Sequence, residues 1–468
     1  MNELREGLSA DRWIRLGSII DHFRRTIRET PVVRPTDPGE AKSAVQQYNF
    51  SRPVALDDIT AQVVRMFRDY SVHVTHPRYF GLFNPGVREA SIVAETLVAT
   101  FNPQLAAWSH SPIANEIEQH VLRQFSNLLG FPSTAAFNFC NGGAEANLSA
   151  MLVALNHQFP RWRAEGIACL KVTPTIYVSA DAHDSLVKAA RACGLGDSAI
   201  RRVPTTSPRF AVDPDQLELF LVEDLRKGWS PFMIVGTAGT TSTGAVDPLR
   251  TLAAIAQKYN AWFHVDAAWG GTAVLSSTLR REVRGIESAD SVTWDAHKWL
   301  SVPFSAGMFF CRHSASVGST FSIHTSYMPT GSAETVDPYA STIQWTRRAM
   351  GLKVFMSLVE LGFDGYRDLI EHQAAMGVLL RERLQGQGFQ VVNDTALPVV
   401  CFTHPKIRQG QVKTEHVLNT LYSRGRVWIS DVRPTGYPEK CLRACITHYE
   451  TDESDIECLI EELVNALK

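Results

Sequence analysis

Between about residues 75 and 345 the chain alternates short apolar runs rich in β-formers with stretches of helical periodicity. The runs are IYVSADAH, FMIVGTAGTT, WFHVDAAWGG, SVTWDAHK and GMFFCR. Strands that alternate with helices predict an α/β unit whose mainly parallel central sheet carries helices on both faces. Sheets of this kind place their crevice at the carboxyl ends of the strands. Those ends here carry His183, Thr240 and Thr241, Asp266, and His297 with Lys298, so four separate runs deliver polar groups to one region.

On either side the pattern changes. Residues 4 to 29 space Leu8, Ile14, Leu16, Ile19, Ile20, Phe23 and Ile27 at helical intervals, prolines follow at 31, 35 and 38, and a second helix fits Leu56 to Tyr70. A polar stretch from about His313 to Ser341 precedes a long helical pattern interrupted near Gly362. Beyond it, FQVVN, PVVCFTH and LRACITHY read as strands and DIECLIEELVNAL as an amphipathic helix, which predicts a small C-terminal α+β domain. The expected organisation is a helical segment over 1–74, a large domain over 75–345 and a small domain over 346–468.

Composition narrows the partners. The 468 residues are 45% hydrophobic and 20% charged, with 46 basic and 48 acidic side chains and a net charge of −2. No basic excess invites nucleic acid or an acidic membrane surface. No apolar run reaches membrane-spanning length and the amino terminus lacks a signal-peptide core, so a cytoplasmic protein is expected. The eight cysteines form no Cys-x-x-Cys pair and read as reduced core thiols, with no metal site expected.

Each candidate side chain has a plain alternative. Lys298 is flanked by Trp294, Trp299 and Leu300, which would partly desolvate its amine and favour the neutral nucleophile that forms imines; a lysine at a strand end is otherwise a solvated surface group. Asp266 ends an apolar strand and is followed by small residues, so it either caps the next helix or pairs with a buried cation. Asn141, Gly142 and Gly143 precede a strongly helical run, a place for an anion or only a tight turn. His183 either satisfies itself locally or lies over a planar ligand.

The order of these features is more specific than any one of them. A glycine turn, a histidine, Gly-Thr-Thr, HVDAAWGG and then DAHKW together resemble the fold-type-I transferases that use pyridoxal 5'-phosphate (PLP), and within them the group II amino-acid decarboxylases. The resemblance runs from about His76 to Tyr449. It implies that Lys298 carries PLP as a Schiff base, Asp266 pairs with the pyridine nitrogen and His183 stacks on the ring. It also places Ala268 under the ring, Thr241 at its polar edge, His297 beside lysine and phosphate, and Gly142, Gly143 and Ala144 at the phosphate turn. Family members often have hydroxyl residues at that turn, and this chain has none there, which leaves backbone N–H groups with Asn141 or a partner-subunit loop.

The resemblance also implies a homodimer and a proton donor on a polar loop, at Tyr327, near Thr325, Ser326, Pro329, Thr330, Gly331 and Ser332. A bland surface tyrosine is the alternative. Arg443 matches a substrate-carboxylate arginine, with a structural salt bridge as its alternative. In HPRYFGLFNPG, Leu82 with Phe80 and Phe83 would form an apolar pocket wall, which favours an aromatic substrate over an acidic one. Decarboxylation of an aromatic L-amino acid to amine and CO2 is therefore expected. Acidic substrates, an aldehyde-forming amine oxidase of the same family, and a catalytically silent scaffold are the rivals.

Overall fold

The computed structural model describes residues 10–323, 325–328 and 335–468. Leu8 and four residues of the expected loop, Pro329, Thr330, Gly331 and Ser332, lie outside the described residues. Seven strands build the central sheet: β1 (Ala136–Cys140), β2 (Pro174–Ser179), β3 (Ile200–Val203), β4 (Ser230–Thr237), β5 (Trp262–Asp266), β6 (Ser291–Asp295) and β7 (Gly307–Cys311). Their spatial order is β1-β7-β6-β5-β4-β2-β3. The pairs from β6 through β5, β4 and β2 to β3 are parallel. Strand β7 runs antiparallel to both of its neighbours, β1 and β6.

Side-chain alternation along these strands creates two cores. Ile176, Val178, Met233, Val235, Trp262 and Phe309 share one cluster with the helices Gly143–Gln158 and Ser185–Ala192. Their neighbours Tyr177, Ile234, Phe263, Val265, Met308 and Phe310 point the other way, to a cluster with Pro112–Leu128, Pro214–Arg226 and Leu249–Lys258. Successive residues of a strand face opposite sides, so a sheet buried on both faces requires near-continuous apolar runs.

A second, wholly antiparallel sheet follows, formed by β8 (Gln390–Val391), β9 (Val399–Thr403), β10 (Ser430–Val432) and β11 (Cys441–Cys445) in the order β8-β9-β11-β10. The long helix Gly351–Gly386 puts Val354, Tyr366 and Ile370 into one core of the central sheet and Leu380 and Leu384 into the core of the small sheet. Its interruption falls at Gly362, whose φ of 63° lies in the left-handed region that glycine tolerates. A capping box, with Asp452 and Asp455 satisfying each other's backbone N–H groups, starts the last helix, Glu453–Ala466.

At the other end of the chain, the helices Ala10–Arg25 and Leu56–Tyr70 bury none of their residues, although Leu56–Tyr70 coincides with the segment its periodicity predicts. No helix among the described residues is long and apolar enough to cross a membrane.

Candidate active site

The parallel strands β4, β5 and β6 end side by side at Thr237, Asp266 and Asp295, and a cleft with about 430 Å3 of empty space opens over those ends. From the expected set, Phe83, Gly143, Ala144, His183, Thr241, Asp266, Ala268 and Lys298 line it. Asn147, Ser185, Thr237, Gly239, Trp269 and Asp295 line it too.

Asp266 is buried, and both carboxylate oxygens accept a hydrogen bond: Oδ2 from Asn147 Nδ2 at 2.8 Å and Oδ1 from the Ala268 N–H at 3.1 Å. Neutral donors of this kind stabilise an ionised carboxylate without neutralising it. Lys298 Nζ lies 3.1 Å from Asp295 Oδ2, and Asp295 is buried with its Oδ1 lacking any hydrogen-bond partner. His297 stands on the other side of that carboxylate, Nε2 to Oδ2 3.7 Å, while its Nδ1 accepts the Ala306 N–H. An accepting Nδ1 requires a neutral imidazole in its Nε2–H tautomer. Burial, the largest influence, pushes the His297 pKa below its ordinary value.

The glycine turn after β1 is packed backbone to backbone. A Cβ on Gly307 would come within 2.5 Å of Gly142 Cα, and one on Gly143 would meet Asp295 Oδ2 at 3.0 Å. The helix starting at Gly143 thus begins at the cleft, with the first amides, Gly143 and Ala144, lacking acceptors within the helix. Asn141 is otherwise engaged: its backbone N–H and its Nδ2 both donate to Glu145 Oε2, at 3.0 and 2.9 Å. Asn141, Gly142 and His297 do not line the cleft, and the cradle rests on Gly143 and Ala144.

One wall of the cleft is an aromatic stack. The Phe83 ring lies 4.3 Å and 7° from Trp269, and Trp269 lies 4.7 Å and 13° from Trp299. Trp299 Nε1 donates to Gln373 Oε1 of the long helix, tying the stack to the bridge between the two cores. Lys298 Nζ is 5.9 Å and Arg443 Cζ 5.2 Å from the centre of the Phe83 ring.

Three expected substrate residues are placed differently from the sequence reading. Phe80 is fully buried in the core of the small sheet, because its N–H donates to the Trp428 carbonyl and its carbonyl accepts the Cys445 N–H. Leu82 is 45% exposed and does not line the cleft, its N–H donating to the Tyr79 hydroxyl. Arg443 is buried without lining the cleft, donating to the carbonyls of Gly81 and Ser242, and its Nη2 has no partner. Tyr327 is 73% exposed, beside Trp345 and outside the cleft of its own chain.

Asn147 and Asp295 are the functional candidates that sequence reading passed over. Each left a signal: Asn147 is an amide one helical turn after Gly143 in a mostly apolar helix, and Asp295 lies three residues before Lys298.

The donor set fits PLP: a lysine for its aldehyde, an ionised carboxylate at depth for its pyridine nitrogen, free amides at a helix start for its phosphate, and a buried Thr237 Oγ1 with no partner. Fold and site together define a fold-type-I PLP enzyme. The chain belongs to the pyridoxal-dependent decarboxylase family, whose conserved domain matches residues 38–404. It is a PLP-dependent amino-acid decarboxylase. It is 28% identical over 391 residues to L-tyrosine/L-DOPA decarboxylase 2 of Lophophora williamsii, covering 81% of this chain and 74% of that one. It is 30% identical over 347 residues to the acidic amino acid decarboxylase GADL1 of Bos taurus, covering 73% and 66%. The crystal structure of mouse CSAD superposes with a TM-score of 0.90 at 25% identity, covering 98% of this chain and 99% of that one.

Proposed function

We propose that the chain converts an aromatic L-amino acid to its amine and CO2, working in the cytoplasm as a homodimer. The observation that carries the substrate reading is the cleft wall. Phe83 backed face to face by Trp269 is a flat apolar surface, and Lys298 is the only lysine or arginine among the described lining residues. A distal carboxylate on an acidic substrate needs a cation of its own, and an aromatic ring needs a flat apolar wall. Likeness to a tyrosine/DOPA decarboxylase supports this reading, and likeness to an acidic amino acid decarboxylase supports the runner-up.

Bound PLP supplies an electron sink for the pair released when the Cα–carboxylate bond breaks. The residues do the rest. Lys298 would hold the cofactor, with Asp295 3.1 Å from its amine to take or return a proton. Asp266 would pair with the pyridine nitrogen and favour its protonated form, and His183 would cover the ring. Tyr327 delivers the proton to Cα from the neighbouring subunit, a role its exposure outside its own cleft supports. Exposed apolar side chains on the N-terminal helices, among them Trp13, Ile14 and Phe67, support a subunit contact there. Eight free cysteines support a reducing compartment.

The test is a panel assay of the PLP-loaded protein against all proteinogenic L-amino acids plus dihydroxyphenylalanine, reading amine, aldehyde and CO2 together. Equal amounts of amine and CO2 from an aromatic substrate are expected; amine from glutamate or aspartate alone would overturn the substrate reading. Tyr327→Phe should cut amine output by about 10²–10⁴-fold, the range for a lost general acid, and divert turnover to an oxygen-consuming, aldehyde-forming reaction. Unchanged amine output would remove Tyr327 as the donor.

A further inference from the structure

A file of buried polar groups runs from Asp266 and Asn147, at the cleft, back into the sheet. Trp262 Nε1 donates to Ser291 Oγ at 2.8 Å, and Ser291 Oγ lies 2.8 Å from His264 Nδ1. His264 Nε2 lies 3.0 Å from Asn147 Oδ1, and Asn147 Nδ2 donates to Asp266 Oδ2. Ser291 and His264 are fully buried, and Trp262, Asn147 and Asp266 are at most 5% exposed, so water is kept from the joints behind Asn147.

Proton positions along the file follow from what each group can do. An indole N–H only donates, so Ser291 Oγ accepts it and is able to turn its own proton to His264 Nδ1. The imidazole then carries its proton on Nε2, which donates to Asn147 Oδ1. Read from the opposite end, a carboxylate only accepts, so the Asn147 amide turns its NH2 to Asp266 and its oxygen to His264. Both directions give one tautomer. All four hydrogen-bonding valences of Asn147 are used, since Nδ2 also donates to Ser185 Oγ and Oδ1 also accepts the Thr293 hydroxyl.

We propose that Asn147 and His264 are positioning residues for the decarboxylase: the line from Trp262 locks the neutral Nε2–H form of His264, which holds the Asn147 amide as a fixed donor to Asp266. Protonating His264 would put a second donor on Ser291 Oγ and force the serine proton to turn away from the imidazole. Burial independently holds the imidazole pKa down to about 4. Asp266 thus faces the cofactor as a carboxylate whose second donor cannot rotate away, which is preorganisation of the kind that second-layer groups supply. The line acts on catalysis only if Asp266 faces the pyridine nitrogen, the reading proposed above.

The test is 15N NMR of the histidine-labelled holoenzyme, with the His264 signals assigned by their loss in His264→Gln. From pH 5.5 to 8, a protonated Nε2 and a bare Nδ1 are expected. A proton on Nδ1, or titration near pH 6.5, would overturn the proposal. In Trp262→Phe, which keeps an aromatic ring but removes the indole donor, the Asn147 end should still hold the Nε2–H tautomer; its loss would count against the joint between Asn147 and His264. Asn147→Leu, if folded by its melting curve, should bind PLP about 10- to 100-fold more weakly, the worth of one hydrogen bond to a charged group. Affinity equal to that of the parent would contradict the role of Asn147, whereas unchanged affinity in Asp266→Asn would instead sink the assignment of Asp266.

Discussion

Two buried carboxylates end adjacent strands of the central sheet, and the fold surrounds them in opposite ways. Asp266, at the end of β5, has a donor on each oxygen and a hydrogen-bonded file behind it. Asp295, at the end of β6, has one oxygen without a partner, and its charged neighbour is the amine of Lys298. A carboxylate fixed by neutral donors keeps its charge through a reaction cycle, which suits a permanent partner for a pyridine nitrogen. A carboxylate beside an ammonium can exchange a proton with it, which suits the neighbour of a lysine proposed to bind the cofactor. One acid is built to stay and the other to trade.

The largest effect should come from removing the trading partner altogether. Lys298→Ala is expected to abolish amine formation and the visible absorbance of the PLP-loaded protein. Amine formation at the parent rate would place the cofactor elsewhere. Next, Asp266→Asn keeps the shape and removes the permanent charge, and kcat should fall by about 10²–10³-fold, the cost of losing one preorganised electrostatic group. A loss below threefold would erase the distinction between the two acids.

Asp295→Asn should act more weakly and on a different quantity. Removing the charge that holds the ammonium should speed reconstitution of the apo-protein with PLP by up to about tenfold near pH 7, and the difference should vanish at higher pH. Stopped-flow absorbance reads this directly. A pH-independent loss would make Asp295 a packing residue only.

The smallest contrast concerns stability. Burial holds His76 and His448 down to about 3 and His264 down to about 4. Each folded-state value lies below the ordinary value, so the unfolded chain binds more protons over the interval between them. Stability should be fully present above about pH 6.5 and should fall as pH drops toward 4, by a few kcal/mol in all. Urea midpoints measured from pH 7.5 to 4.5 check the sign, and a flat profile would deny that these imidazoles are buried neutral.

Much of this site could be read from sequence because its residues lie at strand ends in the same stretches that name the strands. HVDAAWGG carries both β5 and Asp266, and SVTWDAHK carries both β6 and Lys298. What was missed depends on contacts distant in sequence. Phe80 and Phe83 are equally apolar, three residues apart. The pairing of Phe80 with Trp428 and Cys445, more than 340 residues away, turns one into the small-sheet core and leaves the other to the cleft. The antiparallel direction of β7 was equally invisible, since GMFFCR has the same apolar continuity as its parallel neighbours and differs only in its short return from Lys298. Asn147 reads as a poor helix residue until Asp266, His264 and Thr293 surround it.

The most direct test of the account is borohydride reduction of the holoenzyme, followed by proteolysis and mass spectrometry. A PLP-derived mass increment confined to the peptide bearing Lys298, and absent when excess aromatic substrate is present during reduction, is the predicted result. An increment on another lysine, or none in a protein that decarboxylates, would contradict it.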